Sequence, residues 1–213
     1  MALALIGMSG VGKSHWSKLL TQECGFRCYA IDEMIELRLQ DELMPKGFSG
    51  IHGLSRWLGQ PYEEHFEERQ VRYLLLERGC MQEIITQIDK LPRAERGKVV
   101  LDATGSVIHT GKDVRDSLRE CCTIAHLETP GAELDRMLKL YLAEPKPVIW
   151  GHLFMPRPDE ERSAALKRCY AQLLAMRERL YRSWATRTVS WDAYREGCLR
   201  PTQFLSLCGY AVS

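Results

Sequence analysis

Short apolar runs alternate with amphipathic stretches along most of the chain. Five mostly apolar runs predict buried β-strands at residues 3–6, 27–32, 98–105, 123–129 and 187–191. Between them, apolar residues recur at helical spacing and predict helices at residues 13–22, 33–43, 62–90, 131–142 and 160–184, with a last helix from Pro201. This alternation is typical of a parallel sheet that is covered by helices on both faces.

Glycine and proline mark the interruptions in this pattern. Residues 44–59 contain Pro45 and several glycines, and we expect a loop or a short helical turn there. The long amphipathic stretch 62–90 is expected to break near Gly79, because glycine weakens a helix interior.

No shift in composition marks a domain boundary. We therefore expect a single domain over residues 1–213, with two excursions from its core. The first, at about 44–90, is expected to bind a substrate. The second, at about 144–159, contains four prolines and is expected to form an irregular loop that closes as a lid.

Charge and composition exclude several functional classes. Lys and Arg number 29 against 28 Asp and Glu in 213 residues, a net charge of +1 that favours neither a nucleic-acid nor an acidic membrane surface. No apolar run approaches the roughly 20 residues of a membrane helix. The apolar start of the chain has no basic segment before it, which argues against a signal peptide. We expect a cytoplasmic protein with no nucleic-acid and no membrane partner.

The cysteines fit the same compartment. No C-x-x-C pair occurs, and two adjacent cysteines do not fit a zinc ribbon. The pattern predicts reduced, mostly buried thiols for the eight cysteines, which are Cys24, Cys28, Cys80, Cys121, Cys122, Cys169, Cys198 and Cys208.

One glycine-rich segment follows the first predicted strand directly. Residues 7–14 fit G-x-x-x-x-G-K-[ST] at every fixed position, with a strand before and a helix after. Glycines let successive N–H groups approach phosphate oxygens, and the helix N-terminus adds its dipole. The spacing predicts a nucleoside-triphosphate site formed by Gly7, Ser9, Gly10, Val11, Gly12, Lys13, Ser14 and His15.

A magnesium ion is the expected companion of that nucleotide. Ser14 is the motif residue that binds Mg²⁺, and the apolar strand "VVLD" ends in Asp102, as expected for a second Mg²⁺ ligand. The alternative for Asp102 is a turn residue, since "DATG" is good turn chemistry.

Six segments in order resemble the shikimate kinase family, small P-loop kinases of this length, and the resemblance covers nearly all of the chain. The segments are GMSGVGKS (7–14), YAIDEMIELR (29–38), EEHFEERQVRYLLLE (63–77), DATGSV (102–107), EPKPVIWG (144–151) and MRERLYRSWATRTV (176–189). The resemblance implies a three-layer α/β P-loop kinase fold with a five-stranded parallel sheet. It also implies transfer of the γ-phosphoryl group of ATP, with Mg²⁺, to a hydroxyl of a small polar molecule.

The resemblance also assigns roles to single residues. Asp32 matches the family aspartate that contacts the substrate hydroxyls and is the candidate base. Gly105 lies where the family has a triple glycine, and Arg177 matches an arginine that binds the substrate carboxylate. Lys146 stands in the place of a lid arginine. Because a kinase lid must bring a cation to the phosphates, Arg157 is a further candidate.

The departures from the family pattern concern the acceptor. Glu67 stands where the family has an arginine that grips the substrate carboxylate, although Arg69 lies nearby. We expect shikimate to be a poor substrate. The acceptor is expected to offer a hydroxyl to Asp32, an amino or neutral polar group to Glu67, and an acidic group to Arg177.

The phosphate loop also fits other functional classes. A gluconate-type or nucleotide kinase has a similar phosphate loop, and a nucleotide-binding regulatory protein with little turnover belongs to a different class. "DATG" matches the D-x-x-G of GTPases, but no N-K-x-D guanine signature occurs. A monomer or a weak homodimer is expected.

Overall fold

The computed structural model describes residues 1–195 and 199–210. Its centre is a five-stranded sheet in the order β2-β3-β1-β4-β5, in which every pairing is parallel. The strands are β1 (Ala2–Ile6), β2 (Arg27–Ala30), β3 (Val99–Asp102), β4 (Cys122–Leu127) and β5 (Arg187–Val189). The expected α/β fold with a five-stranded parallel sheet is confirmed.

Helices connect and flank the strands, as parallel pairing requires. They are α1 (Lys13–Cys24), α2 (Ile31–Arg38), α3 (Gln40–Leu43), α4 (Gly50–Leu58), α5 (Phe66–Lys90), α6 (Arg93–Arg96), α7 (Lys112–Cys121), α8 (Leu134–Ala143), α9 (Arg162–Trp184), α10 (Trp191–Arg195) and α11 (Pro201–Leu207). Short 3₁₀ turns cover Met44–Lys46, Val107–His109 and Gly131–Glu133.

Three predictions about local structure were wrong. Residues 44–59 contain the helix α4, whose Leu54, Trp57 and Leu58 are buried, so packing overrides the glycines. Helix α5 passes through Gly79 without a break, because buried residues on both sides of it hold the helix against the core. Strand β2 ends at Ala30, which moves Asp32 into the first turn of α2.

The helix α7 was not expected from the sequence. It lies between β3 and β4 and buries Val114, Leu118 and Cys121. Most of its other residues are charged, so the apolar stripe is narrow and easy to overlook in the sequence.

The strand register brings the candidate residues to one edge of the sheet. Asp102 is the last residue of β3 and lies beside Leu5 of β1 and Ala30 of β2. All five residues of β1 are buried, so the loop that follows this strand starts from the centre of the fold. Because the carboxyl ends of parallel strands share one edge, the loops after β1, β2 and β3 meet there.

Two further expectations concern the whole chain. None of the helices in the described part of the chain combines the length and the apolar character that a membrane span requires. Seven of the eight cysteines lie in the described residues. All seven are free thiols and five of them are buried, while Cys198 lies outside the described residues.

Candidate active site

The loop between β1 and α1 depends on glycine at three positions. Gly7, Gly10 and Gly12 have φ angles of 141°, 83° and 108°, values that side chains disfavour. A Cβ on Gly7 would also lie 2.7 Å from the main-chain oxygen of Leu127 on β4. The glycines of the motif therefore set the path of this loop.

Lys13 directs its ammonium group into the loop. Its Nζ donates to the main-chain oxygens of Gly7 at 2.9 Å and Met8 at 2.8 Å, and the side chain is buried. Burial lowers the pKa of Lys13, while the carboxylates of Asp102 and Asp32 act in the opposite direction. The loop thus surrounds a cation that two carboxylates flank.

Asp102 and Ser14 bring a carboxylate and a hydroxyl together beside this cation. Burial raises the pKa of Asp102, whereas the charge of Lys13 and hydrogen bonding from the Ser14 side chain lower it. In the described residues, no group of three or more His, Cys, Asp or Glu side chains could hold a metal. A hydroxyl and one carboxylate fit Mg²⁺, which keeps several waters and completes its shell with phosphate oxygens.

Asp32 lies in the first turn of α2 and is half-buried. The hydroxyl of Tyr73, on α5, donates to its Oδ1 at 2.7 Å. Burial raises the pKa of Asp32, and the Tyr73 hydrogen bond and the Lys13 charge lower it. A carboxyl group with a raised pKa is suited to general-base chemistry near neutral pH.

A cavity of about 1010 Å³ joins these groups. At one end, which we call the phosphate end, lie Lys13, Ser14, Asp102 and Lys146. The other end, the acceptor end, extends over α2–α4 and is lined by Glu33, Glu36, Leu37, Gln40, Leu43, Met44, Phe48, Ser49, Gly50 and Ile51. Asp32 also lines this cavity, as do Ser9, Gly10, Gly12, His15, Ala30, Ala103 and Gly105.

The two ends differ in charge. Among the described residues that line the cavity, the lysine and arginine side chains are Lys13 and Lys146. The charge of Lys146 lowers the pKa of Lys13, so these two cations lie near each other. The acceptor end contains the carboxylates Glu33 and Glu36 and several apolar side chains.

Glu67 does not line the cavity. It is exposed in the first turn of α5, and its Oε2 accepts a hydrogen bond of 2.6 Å from Gln70. The Gln70 side chain in turn contacts the main chain of Gly151, accepting from its N–H at 3.0 Å and donating to its oxygen at 3.5 Å. Arg69 donates to the main-chain oxygen of Trp57 and does not line the cavity.

Arg177 lies behind Gly105, which lines the cavity. A Cβ on Gly105 would lie 3.2 Å from its Nη1. Arg177 is only 3% exposed, and its Nη2 donates to the main-chain oxygen of Ile149. Its Nε has no hydrogen-bond partner among the described residues. The structure thus brings Arg177 close to the site but orients it toward the segment after α8.

The two other cations of the predicted lid are separated. Lys146 lines the cavity, whereas Arg157 is exposed and is not among the lining residues. The main-chain N–H of Arg157 donates to Glu160 Oε2 at 2.9 Å. Of the phosphate-loop residues, Val11 is buried and His15 is exposed.

Nearly the whole chain is similar to solved structures of shikimate kinases. A shikimate kinase from Acinetobacter baumannii in complex with shikimate has a TM-score of 0.58 and 20% identity, covering 96% of this chain and 88% of that one. Shikimate kinases from Bacteroides thetaiotaomicron and Aquifex aeolicus have TM-scores of 0.60 and 0.53, at 16% and 19% identity. They cover 98% of this chain in both cases, and 98% and 96% of their own chains.

The chain has a shikimate kinase-like P-loop kinase fold. The sequence matches no protein-family model and no curated protein. At 16–20% identity the structural likeness shows the fold alone.

Sequence reasoning missed three polar residues on one face of α5 in this shikimate kinase-like fold. Gln70, Tyr73 and Glu77 are buried and follow one another at helical spacing. Glu77 is 0% exposed and accepts hydrogen bonds from Ser106 Oγ at 2.6 Å and from Thr104. Burial raises its pKa to about 7. Their spacing on an otherwise apolar face was the signal that could have identified them.

Proposed function

We propose that this protein is an ATP-dependent kinase that transfers the γ-phosphoryl group of ATP to a hydroxyl group of a small polar metabolite. The observation that carries the proposal is the single cavity that joins the phosphate loop to Asp32. A nucleotide-binding protein without an acceptor needs no such extension beyond its phosphate site. A kinase needs it, because the acceptor hydroxyl must lie next to the γ-phosphorus.

In this proposal the phosphate loop binds ATP. Lys13 and Lys146 neutralise charge on the phosphates, and Arg157 contributes when the lid closes. Ser14 and Asp102 would hold Mg²⁺, which supplies further positive charge to the phosphate oxygens. The main chain of the loop surrounds the phosphates through Gly7, Ser9, Gly10, Val11, Gly12 and His15.

Asp32 acts on the acceptor. Its carboxylate accepts the proton of the acceptor hydroxyl while the oxygen of that hydroxyl bonds to the γ-phosphorus. The bond between the γ-phosphorus and the bridging oxygen breaks, and ADP leaves with the electron pair. A half-buried aspartate with a raised pKa supports this role.

The charge of the cavity supports an acceptor with an amino group. Glu33 and Glu36 line the acceptor end, and Leu37, Met44 and Phe48 offer apolar contacts. A carboxylate bound there would meet like charges, whereas an ammonium group would meet opposite ones. We therefore propose a hydroxyl compound with an amino group and an apolar portion.

The proposal includes the domain organisation, the compartment and the oligomeric state of the protein. It forms one domain over residues 1–213, with the excursion 44–90 binding the acceptor and 144–159 closing as a lid. Seven free cysteines support a reducing compartment such as the cytoplasm. The enzyme acts as a monomer or a weak homodimer, without nucleic-acid or membrane partners.

The decisive experiment measures ADP release with MgATP and a panel of small hydroxyl compounds that differ in charge. We expect one acceptor class to stimulate release strongly. Lys13→Met should abolish that stimulation by orders of magnitude, because it removes the central cation but keeps the length of the side chain. Lys18→Met, at an exposed position of the same helix, is the matched control and should behave like the wild type.

The alternatives give different results in the same assay. A gluconate-type kinase would respond to a sugar acid, and a nucleotide kinase to a nucleoside or its monophosphate. A regulatory protein would bind MgATP without acceptor-dependent release of ADP. Full activity in a folded Lys13→Met variant would refute a phosphoryl-transfer role for this loop.

A further inference from the structure

Tyr73 forms a hydrogen bond to Asp32 that has no role in the chemistry proposed above. This residue of α5 is 1% exposed, and its hydroxyl donates to Asp32 Oδ1 at 2.7 Å. The bond links α5 to the first turn of α2. Because the tyrosine is buried, water does not offer its hydroxyl an easy alternative partner.

This contact determines how the carboxylate is presented. Asp32 is half-buried, and its side chain rotates about two bonds unless something fixes it. Donation to Oδ1 restricts that rotation, and no hydrogen bond within the described residues engages Oδ2. The second oxygen is thus available to accept a hydrogen bond from an acceptor hydroxyl.

The helix that provides Tyr73 is also attached to the turn after β3. One turn further along α5, the buried carboxyl of Glu77 accepts hydrogen bonds from the hydroxyls of Thr104 and Ser106. Between these two residues lies Gly105, which lines the cavity. The same face of α5 therefore contacts both Asp32 and the turn after β3.

We propose that Tyr73 is a positioning residue for phosphoryl transfer, holding Asp32 so that Oδ2 faces the acceptor hydroxyl, from a helix that Glu77 anchors to the turn containing Gly105. The inference rests on the proposed kinase function. It adds a role for a residue that touches neither ATP nor the acceptor.

The charged groups around Asp32 determine how its pKa should respond to the loss of the Tyr73 hydroxyl. Lys13 and Lys146 favour the ionised carboxylate, whereas Asp102 and burial oppose it. Glu77 is also near enough for the charge of Asp32 to raise the pKa of Glu77. Since the Tyr73 hydroxyl favours the ionised form, removing it should raise the pKa of Asp32 and release its side chain.

The test uses Tyr73→Phe in the full chain, with Tyr210→Phe as the control. Tyr210 bonds main-chain oxygens at Met1 and Gly97, near the amino end of the sheet. For Tyr73→Phe we expect kcat to fall by about tenfold or more, with KM for ATP changed less than about twofold. The ¹³C resonance of the Asp32 carboxyl should shift and titrate at higher pH. Tyr210→Phe should change none of these quantities.

The outcomes separate the two proposals. A folded Tyr73→Phe enzyme with unchanged kcat, or with an unchanged Asp32 resonance, overturns the positioning role alone. Absence of acceptor-dependent ADP release in the wild type overturns the kinase function and, with it, the positioning role. Thermal unfolding of each variant distinguishes loss of positioning from loss of fold.

Discussion

The guanidinium of Arg177 donates to the main-chain oxygen of Ile149, in the segment that follows α8. It is buried behind Gly105 and does not line the cavity. Glu67, which was expected to face an amino or neutral polar group of the acceptor, is exposed and bonded to Gln70. The lining charges at the acceptor end are instead the carboxylates Glu33 and Glu36. The hypothesis of an acidic group bound by Arg177 therefore has less support than that of an amino group bound by α2.

The first prediction is that shikimate is a poor substrate. We expect its kcat/KM to be at least about tenfold lower than that of a cyclic amino alcohol of similar size, since like charges meet at the acceptor end. Glu36 accepts from the N–H of Gly50, and glutamine can keep that bond through its amide oxygen. Glu36→Gln should therefore reduce the preference for the amine without unfolding α4. Glu68→Gln, at an exposed position of α5, should leave this preference unchanged. Efficient use of shikimate would contradict this assignment.

The second prediction concerns the proposed lid, residues 144–159. Its Val148, Ile149 and Trp150 are buried, and Gly151 is bonded to Gln70, whereas residues 155–159 are exposed. We expect amide exchange to be slow in the buried part with or without MgATP and to become slower with MgATP in the exposed part. Gln70→Ala should accelerate exchange at residues 149–151, because two contacts to Gly151 are lost. Equal exchange along the whole segment would show that Gln70 does not anchor it.

The third prediction separates two glycines of the phosphate loop. Gly7 and Gly10 both have positive φ, but only a Cβ on Gly7 would collide with the Leu127 oxygen, whereas that on Gly10 meets open space. Gly7→Ala should therefore destabilise the fold by about 1–3 kcal/mol more than Gly10→Ala. Urea unfolding of the two variants measures this difference. Similar losses would mean that the clash with Leu127 is relieved by a small shift of the loop.

The fourth prediction concerns pH. The pKa of Glu77 is raised from 4.5 to about 7 by burial, so the folded state holds this proton more tightly than the unfolded state. Below pH 4.5 both states are protonated, and the stabilising contribution is complete. As pH rises from 4.5 through 7 that contribution is lost, on the order of 3–4 kcal/mol at about 1.4 kcal/mol per pKa unit.

Glu77→Gln isolates this effect. The free energy of unfolding of the variant, measured in urea at pH 5 and pH 8, should fall less over this range than that of the wild type. Glu68→Gln, an exposed substitution on the same helix, should retain the wild-type pH dependence. A variant with the same pH dependence as the wild type would show that Glu77 does not hold its proton in this range.

The local signals in the sequence determined much of the fold. The motif over residues 7–14 predicted the strand, loop and helix around it, because its glycines and lysine have a geometric function that local sequence specifies. The five apolar runs predicted five strands, and the strand ends shifted by only a few residues. The position of Asp102 at the end of β3 also followed from its own sequence.

Tertiary structure alone decided the acceptor end of the cavity. Whether Arg177 faces the cavity or Ile149 depends on residues 28 positions apart, and the bond of Tyr73 to Asp32 spans 41 positions. The pairing of Glu77 with Thr104 and Ser106 likewise joins a helix to a distant turn. Sequence periodicity reports which face of an element is buried, but it does not report which buried polar groups meet there. That depends on how helices pack across the sheet, so the phosphate loop was readable from the sequence and the acceptor site was not.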